Sequence, residues 1–106
     1  MNTLLDYKLV IEVLKEHSAE LTTDWSSVRN SRSILLLRHD IDFSIHYALK
    51  MAEFERNLNV SASYFFMPSS NFYNLYSYEN KKLIKRIRDL GHKVSLHIDI
   101  CAYEYV

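Results

Sequence analysis

Residues 34–42 read Ile-Leu-Leu-Leu-Arg-His-Asp-Ile-Asp, and this stretch decides the fold class of the chain. Four consecutive apolar residues without polar alternation are typical of a strand that is covered on both faces, as strands are in parallel α/β sheets. The apolar run ends at Leu37, and four polar residues, Arg38, His39, Asp40 and Asp42, follow it with only Ile41 between them. The pattern therefore predicts a buried first strand with charged side chains at its carboxyl end.

Further helices and strands are predicted on both sides of this strand. Apolar residues at helical spacing predict helices, and short runs rich in β-branched and aromatic residues predict strands. The helices are predicted over residues 4–17, 44–58 and 77–91, and the strands over residues 60–66 and 93–98. Asp42 or Ser44 is expected to cap the second helix, and Asn59 to end it. The polar segment 18–33 is expected to be a surface connection.

The order of these elements predicts an α/β fold with parallel strands and flanking helices. Connections of the strand-helix-strand type are nearly always right-handed and give parallel strands. We expect one domain over residues 1–106, in which 1–32 form a helix and a connection and 33–106 form three β/α units. The carboxyl ends of parallel strands meet at one sheet edge. The residues expected there are Asp40, Asp42, Phe66, Met67 and His97.

Composition excludes several classes of function. The chain has 106 residues, one Gly and a formal net charge of +0. The single Gly excludes glycine-rich phosphate loops and dinucleotide fingerprints, and the balanced charge argues against a nucleic-acid partner. The single cysteine, Cys101, excludes an internal disulfide and multi-cysteine zinc modules. No apolar run approaches the length of a membrane span, so we expect no membrane partner. A single cysteine fits a reducing compartment, and charged residues near the start interrupt any signal peptide, so we also expect a cytoplasmic location.

The charged residues at the strand ends predict a metal site. Asp40 and Asp42 are two residues apart, so in an extended chain their carboxylates point to the same side. His97 is predicted at the matching end of another strand, and mixed oxygen and nitrogen ligands suit a divalent transition metal. Structural alternatives exist for each residue. Asp42 would cap the helix, Asp40 would pair with Arg38, and His97 would be a hydrogen-bonded core histidine.

Three stretches of the chain resemble a known family. ILLLRHDIDFS at 34–44, ERNLNVSASYFF at 55–66 and LGHKVSLHID at 90–99 resemble the opening motifs of polysaccharide deacetylases, the NodB homology domain of carbohydrate esterase family four. The resemblance implies a distorted (β/α) barrel. It implies that Asp40 is the catalytic base and that Asp42 and His97 are metal ligands, with zinc the expected ion. The family places a second metal histidine where this chain has Cys101, whose thiolate also binds zinc, and Asp99 is nearby.

The resemblance implies a metal-dependent hydrolase that removes N- or O-linked acyl groups from a carbohydrate substrate. In that reaction Asp40 would take a proton from the attacking water. The three β/α units correspond to the amino-terminal half of the barrel. The later family motifs, an Arg-containing loop, a Trp-containing strand and a Leu-His pair, have no counterpart up to Val106. We therefore expect weak or no turnover from these residues by themselves.

Two other hypotheses follow from the same residues. Aspartates two apart after a first strand also resemble haloacid-dehalogenase phosphatases, which use Mg²⁺; Asp40 would be the nucleophile, Asp42 the acid, and His97 would have no role. Alternatively, the chain is a non-catalytic remnant or partner subunit whose open sheet edges pair with a second copy or with a missing carboxyl-terminal half. An aromatic-rich loop is expected to form a sugar-stacking platform or to fold onto the core. Its aromatic residues are Phe72, Tyr73, Tyr76 and Tyr78.

Overall fold

The structure, a computed structural model, describes residues 3–17, 20–24 and 34–98. These residues form three helices and five short strands. In chain order the elements are α1 (Thr3–His17), β1 (Glu20–Leu21), β2 (Ile34–Leu35), β3 (Arg38–Ile41), α2 (Ile45–Asn57), β4 (Ser63–Phe66), α3 (Tyr78–Asp89) and β5 (Lys93–Leu96). All three predicted helices are present, which confirms that their apolar periodicity was interpreted correctly.

A three-stranded parallel sheet forms the centre of the fold. Its strand order is β3-β4-β5, so β4 is the middle strand. The register places His39 beside Tyr64 and Tyr64 beside Val94, and the next residues follow in step. The predicted α/β class, with parallel strands and flanking helices, is confirmed.

The first strand differs from the prediction in its boundaries. The apolar run is divided, because β2 pairs with β1 while β3 pairs with β4. The polar residues from Arg38 onward lie within β3 instead of after a strand. The amide of Ser63 donates to the carbonyl of Leu37 at 2.9 Å, which carries the β3–β4 ladder through this point. Polar residues are accepted in the strand because its alternate side chains, Arg38 and Asp40, are exposed.

The segment predicted as a surface connection contains a strand. Glu20 and Leu21 of β1 pair in parallel with Ile34 and Leu35 of β2, and the amide of Thr22 donates to the carbonyl of Leu35 at 3.1 Å. The sequence did not predict this pairing, because the segment is polar and a two-residue strand is too short to show an alternation of polar and apolar residues. The remainder of the predicted connection, residues 18–19 and 25–33, lies outside the described residues.

The helix boundaries follow from local side-chain chemistry. The Ser44 hydroxyl accepts a hydrogen bond from the Tyr47 amide at 3.1 Å, so Ser44, not Asp42, is the N-cap of α2. Ser77 caps α3 in the same way. Asn59 adopts φ 57 after α2, as predicted. Gly91 after α3 has φ 99, which a residue with a Cβ adopts only with strain.

The hydrophobic core lies between the sheet and the α2–α3 layer. Helices α2 and α3 pack against each other and cover the sheet face that carries Tyr64 and Phe66. The buried cluster consists of Ile45, Ala48, Ala52, Ala62, Tyr64, Phe66, Leu75 and Ile87. Helix α3 contributes to this core, because Ile87 is fully buried and Leu83, Ile84 and Leu90 pack against the cluster.

Helix α1 is less deeply buried than its sequence predicts. Among its apolar residues, Ile11 is buried and Tyr7 and Leu14 are half-buried. Leu5 and Val10 are more than half exposed. Among the helices that the structure describes, none combines the length and the apolar character that crossing a membrane requires.

Candidate functional site

Strand β3 presents alternating side chains to its two faces. Arg38 and Asp40 are exposed on one face, while His39 and Ile41 are half-buried on the face that α2 and α3 cover. The Arg38 guanidinium donates from Nε to Asp40 Oδ1 at 2.8 Å and lies 3.9 Å from the ring centre of Phe65. The structure therefore contains the Arg38–Asp40 pair that was the structural alternative for Asp40.

Asp42 follows β3 and remains exposed. Its carboxylate does not serve as the helix cap, since Ser44 has that role. Its backbone carbonyl accepts a hydrogen bond from the Ser70 hydroxyl at 3.4 Å. The structural alternative for Asp42 is therefore not the one observed, and its side chain stays available for another partner.

His97 follows β5, and its backbone is hydrogen-bonded to the sheet while one nitrogen of its ring is not. Its amide donates to the carbonyl of Phe66 at 2.7 Å, which extends the β4–β5 ladder by one residue. Its ring Nδ1 is buried and has no hydrogen-bond partner among the described residues. A buried nitrogen without a partner costs free energy, on the order of 1–3 kcal/mol. The core-histidine alternative, in which this ring is hydrogen-bonded, is therefore not what the described residues show.

Asp42 and His97 lie at the same edge of the sheet and at the same level. Each follows directly after the last paired residue of its strand, Ile41 in β3 and Leu96 in β5, and Phe66 pairs with both of these residues. Two strand spacings of about 4.8 Å separate β3 from β5 by roughly 10 Å. The predicted meeting of the carboxyl ends is thus present, with β4 between the two candidate ligands.

The predicted ligand set is only partly within the described residues. Cys101 and Asp99 lie outside them. Within residues 3–17, 20–24 and 34–98, no three His, Cys, Asp or Glu side chains cluster closely enough to hold a metal ion. One carboxylate and one imidazole suit zinc in donor chemistry, and a catalytic zinc site normally takes a third protein ligand. These residues fit part of a metal site.

The aromatic-rich loop between β4 and α3 divides into anchored and exposed residues. The Tyr73 hydroxyl accepts from the Met67 amide at 2.7 Å and donates to the Ile41 carbonyl at 2.5 Å, so it joins the carboxyl ends of β3 and β4. Burial raises the pKa of Tyr73, and the charge of Asp42 adds to this. Phe72 is exposed and contacts exposed Phe43, with ring centres 4.6 Å apart. Tyr73 therefore folds onto the core, while Phe72 stays at the surface.

A buried polar cluster that the sequence analysis missed lies under β3. Glu55 of α2 is fully buried. One carboxylate oxygen accepts from the Tyr7 hydroxyl and lies 2.7 Å from His39 Nε2, and the other accepts from the Tyr64 hydroxyl. The helical spacing of the sequence does indicate that Glu55 is buried. Glu55 follows Ala48 and Ala52 at intervals of four and three residues, so it falls on the apolar face of α2.

The pKa values of the cluster have clear physical causes. Burial by itself raises the pKa of Glu55, but the hydrogen bond and charge of His39, with the two tyrosine hydroxyls, outweigh it and lower the pKa. Burial and the neighbouring Glu55 carboxylate raise the pKa of both Tyr7 and Tyr64. The cluster therefore holds an ionised glutamate and two neutral tyrosines over the ordinary pH range.

A pocket of about 370 Å³ connects this cluster to the predicted site. Asp40 and Asp42 line it together with His39 and Tyr64. Ser44 and Tyr47, from the start of α2, form another part of the wall. His97 is not among the lining residues, so the pocket opens beside β3 and does not extend to β5.

Comparisons with protein-family models, with curated proteins and with solved structures found no match to this chain.

Proposed function

We propose that the chain carries the metal-binding edge of a metal-dependent hydrolase that deacylates a carbohydrate, as the resemblance to polysaccharide deacetylases implies. The observation that carries the proposal is the placement of Asp42 and His97 at one level of one sheet edge. The three β/α units would be the amino-terminal part of a (β/α) barrel. A cytoplasmic location remains a prediction from the sequence.

The state of His97 supports a ligand role. Its Nδ1 is buried without a hydrogen-bond partner among residues 3–17, 20–24 and 34–98. Buried polar atoms in proteins are nearly always hydrogen-bonded or bound to an ion. A zinc ion beside Nδ1 would remove the cost of this orphan nitrogen, and Cys101 is the proposed third ligand.

The roles of the remaining residues follow from their positions. A bound metal ion would supply a polarised carbonyl and an activated water. Asp40 would accept the proton of that water as general base. The hydrogen bond from Arg38 Nε at 2.8 Å holds the Asp40 carboxylate in one orientation. The exposed ring of Phe72 beside Phe43 offers a flat apolar surface to a sugar ring.

Metal content tests the proposal directly. We expect the purified chain to retain Zn²⁺ after dialysis, and Asp42→Ala and His97→Ala to lose it, measured by inductively coupled plasma mass spectrometry. Cys101→Ser should weaken retention. His46→Ala is the matched control, because His46 is exposed on α2 and its ring Nε2 lies 3.3 Å from the exposed Glu79. Unchanged metal content in both Asp42→Ala and His97→Ala would refute the site.

The same variants separate the phosphatase hypothesis from the hydrolase proposal. In a phosphatase with Asp40 as nucleophile, Mg²⁺-dependent hydrolysis of p-nitrophenyl phosphate would be lost in Asp40→Asn and unchanged in His97→Ala. In the proposed deacylase, neither variant has phosphatase activity to lose. Phosphatase activity that survives His97→Ala would therefore replace the proposal.

A further inference from the structure

The Glu55 cluster places a fixed imidazole at a pocket. An ionised carboxylate without solvent is costly unless several donors compensate it, and Glu55 has three. Two of those donors, Tyr7 and Tyr64, are neutral hydroxyl groups, so they add no charge to the cluster. The third, His39, lines the pocket and is half-buried, whereas Tyr64, which also lines it, is fully buried.

Contacts with a carboxylate and with two tyrosine rings fix the position of the His39 ring. Its Nε2 lies 2.7 Å from Glu55, and its ring lies 4.8 Å from the ring of Tyr64 and 6.1 Å from the ring of Tyr7. Its side chain keeps 22% of its surface exposed and lines the 370 Å³ pocket. Within the described parts of the chain, His39 Nδ1 has no hydrogen-bond partner. One ring nitrogen is thus held by a carboxylate while the other remains open.

We propose that His39 is an acid–base residue of this pocket and that Glu55 is its positioning residue. A carboxylate that bonds one imidazole nitrogen fixes the orientation of the ring and stabilises its protonated form, so the other nitrogen can take a proton from a reactant. The proposal does not depend on the proposed metal ion, since His39 lies on the opposite face of β3 from Asp40.

The pocket wall selects the class of ligand. The charge of Arg38 is balanced by Asp40, with which it forms an ion pair at 2.8 Å, and Asp42 leaves the wall with a net negative charge. Ile41 and Met51 add apolar surface. An uncharged or cationic polar molecule with a short apolar part, such as a small carboxylic ester, fits this wall, whereas an anion is disfavoured.

The proposed step is general-base hydrolysis of an ester. His39 Nδ1 removes a proton from water while the water oxygen forms a bond to the carbonyl carbon. The tetrahedral intermediate then collapses, the bond from carbon to the alcohol oxygen breaks, and the alcohol leaves with its electron pair. The proton on His39 passes to the alcohol oxygen or to solvent, so the products are one carboxylic acid and one alcohol.

The orientation of the His39 ring depends on its contact with Glu55. Glu55 of α2 is the carboxylate beside His39 Nε2, and the hydroxyls of Tyr7 and Tyr64 hold that carboxylate. Replacing Glu55 is therefore expected to lower kcat and to leave KM unchanged, because the ring loses the group that orients it while the pocket wall is retained.

Hydrolysis of p-nitrophenyl acetate tests the inference, with Cys101→Ser as the parent chain because a free thiol also attacks this ester. We expect His39→Gln to lower the rate by about 10²-fold, a typical effect of losing a general base. His46→Gln, which removes an exposed imidazole from the same chain, should leave the rate unchanged. Glu55→Gln should retain part of the rate and lower kcat with KM unchanged. An unchanged rate in folded His39→Gln would overturn the proposal.

Two further measurements keep the test decisive. Circular dichroism identifies variants that fail to fold. If Glu55→Gln does not fold, Tyr7→Phe replaces it, because this variant removes one hydrogen bond to Glu55 and keeps the Glu55 charge. The expected loss of rate in Tyr7→Phe is smaller. An unchanged kcat in folded Glu55→Gln would assign Glu55 a structural role only. A metal chelator should not change the rate; if it abolishes the rate while His39→Gln does not, the metal site is responsible and His39 is not.

Discussion

At the scale of single residues, Glu55 decides how β3 and α2 fit together. A fully buried carboxylate is rare unless it is paired, and here it takes hydrogen bonds from three different elements. The cluster therefore ties α1, β3 and β4 to α2 through one side chain. Each hydrogen bond to a charged group contributes about 1.5–3 kcal/mol to folding stability. Loss of the Glu55 charge therefore weakens the attachment of all three elements to α2.

Glu55 is expected to make folding stability depend on pH. Because its pKa is lowered in the folded chain, its contribution is present above the ordinary glutamate pKa and is lost as pH falls through the folded value. We expect Glu55→Gln to lower the free energy of unfolding by about 2 kcal/mol at pH 7, and the difference from the wild type to shrink below about pH 4. Urea unfolding at several pH values measures this. A difference that is constant from pH 3 to pH 7 would contradict it.

The buried tyrosines set the alkaline limit of the same stability profile. Tyr7 and Tyr64 have pKa values raised by burial and by Glu55, so the folded chain favours their neutral forms. Their contribution is present below the ordinary tyrosine pKa of about 10 and is lost as pH rises above it. Tyr64 is fully buried within the core cluster, whereas Tyr7 is half-buried.

At the scale of elements, α1 is joined to the rest of the described fold by few side chains. Ile11 is its buried residue, the Tyr7 hydroxyl donates to Glu55, and Lys15 Nζ donates to the Leu58 carbonyl at 2.7 Å. Leu9 and Val13 remain more than half exposed. Helices α2 and α3, in contrast, share a continuous core. Local opening is therefore expected to begin at α1.

Hydrogen exchange tests this difference between the helices. We expect the amides of α1 to exchange faster than those of α3, because α1 buries less apolar surface. Tyr7→Phe should increase exchange in α1 and leave α3 unchanged, measured by mass spectrometry of peptic fragments. Tyr47→Phe is the control, since Tyr47 is exposed on α2. Equal protection of α1 and α3 in the wild type would contradict the expectation.

At the scale of the whole molecule, the three-stranded sheet has two outer strands. Within the described residues, β3 and β5 each pair on one side with β4. Leu96 and Ile98 at the end of β5 are each 55% exposed, and Leu96 lines a surface pocket with Phe66 and Val94. Unpaired strand edges beside exposed apolar residues favour association with another chain. The hypothesis that the chain acts as a partner subunit stays a prediction.

Sedimentation velocity tests association through β5. We expect the sedimentation coefficient to rise with concentration in the micromolar range, and Leu96→Lys to reduce this rise by placing a charge beside the outer edge. Val13→Lys is the control, because Val13 has the same exposed fraction of 55% but lies on helix α1, outside the three-stranded sheet. A concentration-independent monomer that unfolds cooperatively would count against association.

Local patterns in the sequence determined much of the architecture. Apolar spacing predicted α2 and α3, Ser44 and Asn59 marked the ends of α2, and the strand-helix order predicted a parallel sheet. These features depend on interactions between residues that are close together in the chain, so the local sequence is sufficient to predict them. The same order placed Asp42 and His97 at one edge of the sheet, although a metal ion between them remains a prediction.

Tertiary structure decided the features that depend on distant partners. The pairing of β1 with β2, the division of the apolar run at 36–37 and the exposure of Leu96 all follow from which strands become neighbours. The burial of Glu55 is the clearest case. A glutamate is ordinarily solvated, and it stays inside this fold because Tyr7, His39 and Tyr64, which lie 48, 16 and 9 residues away along the chain, converge on its carboxylate.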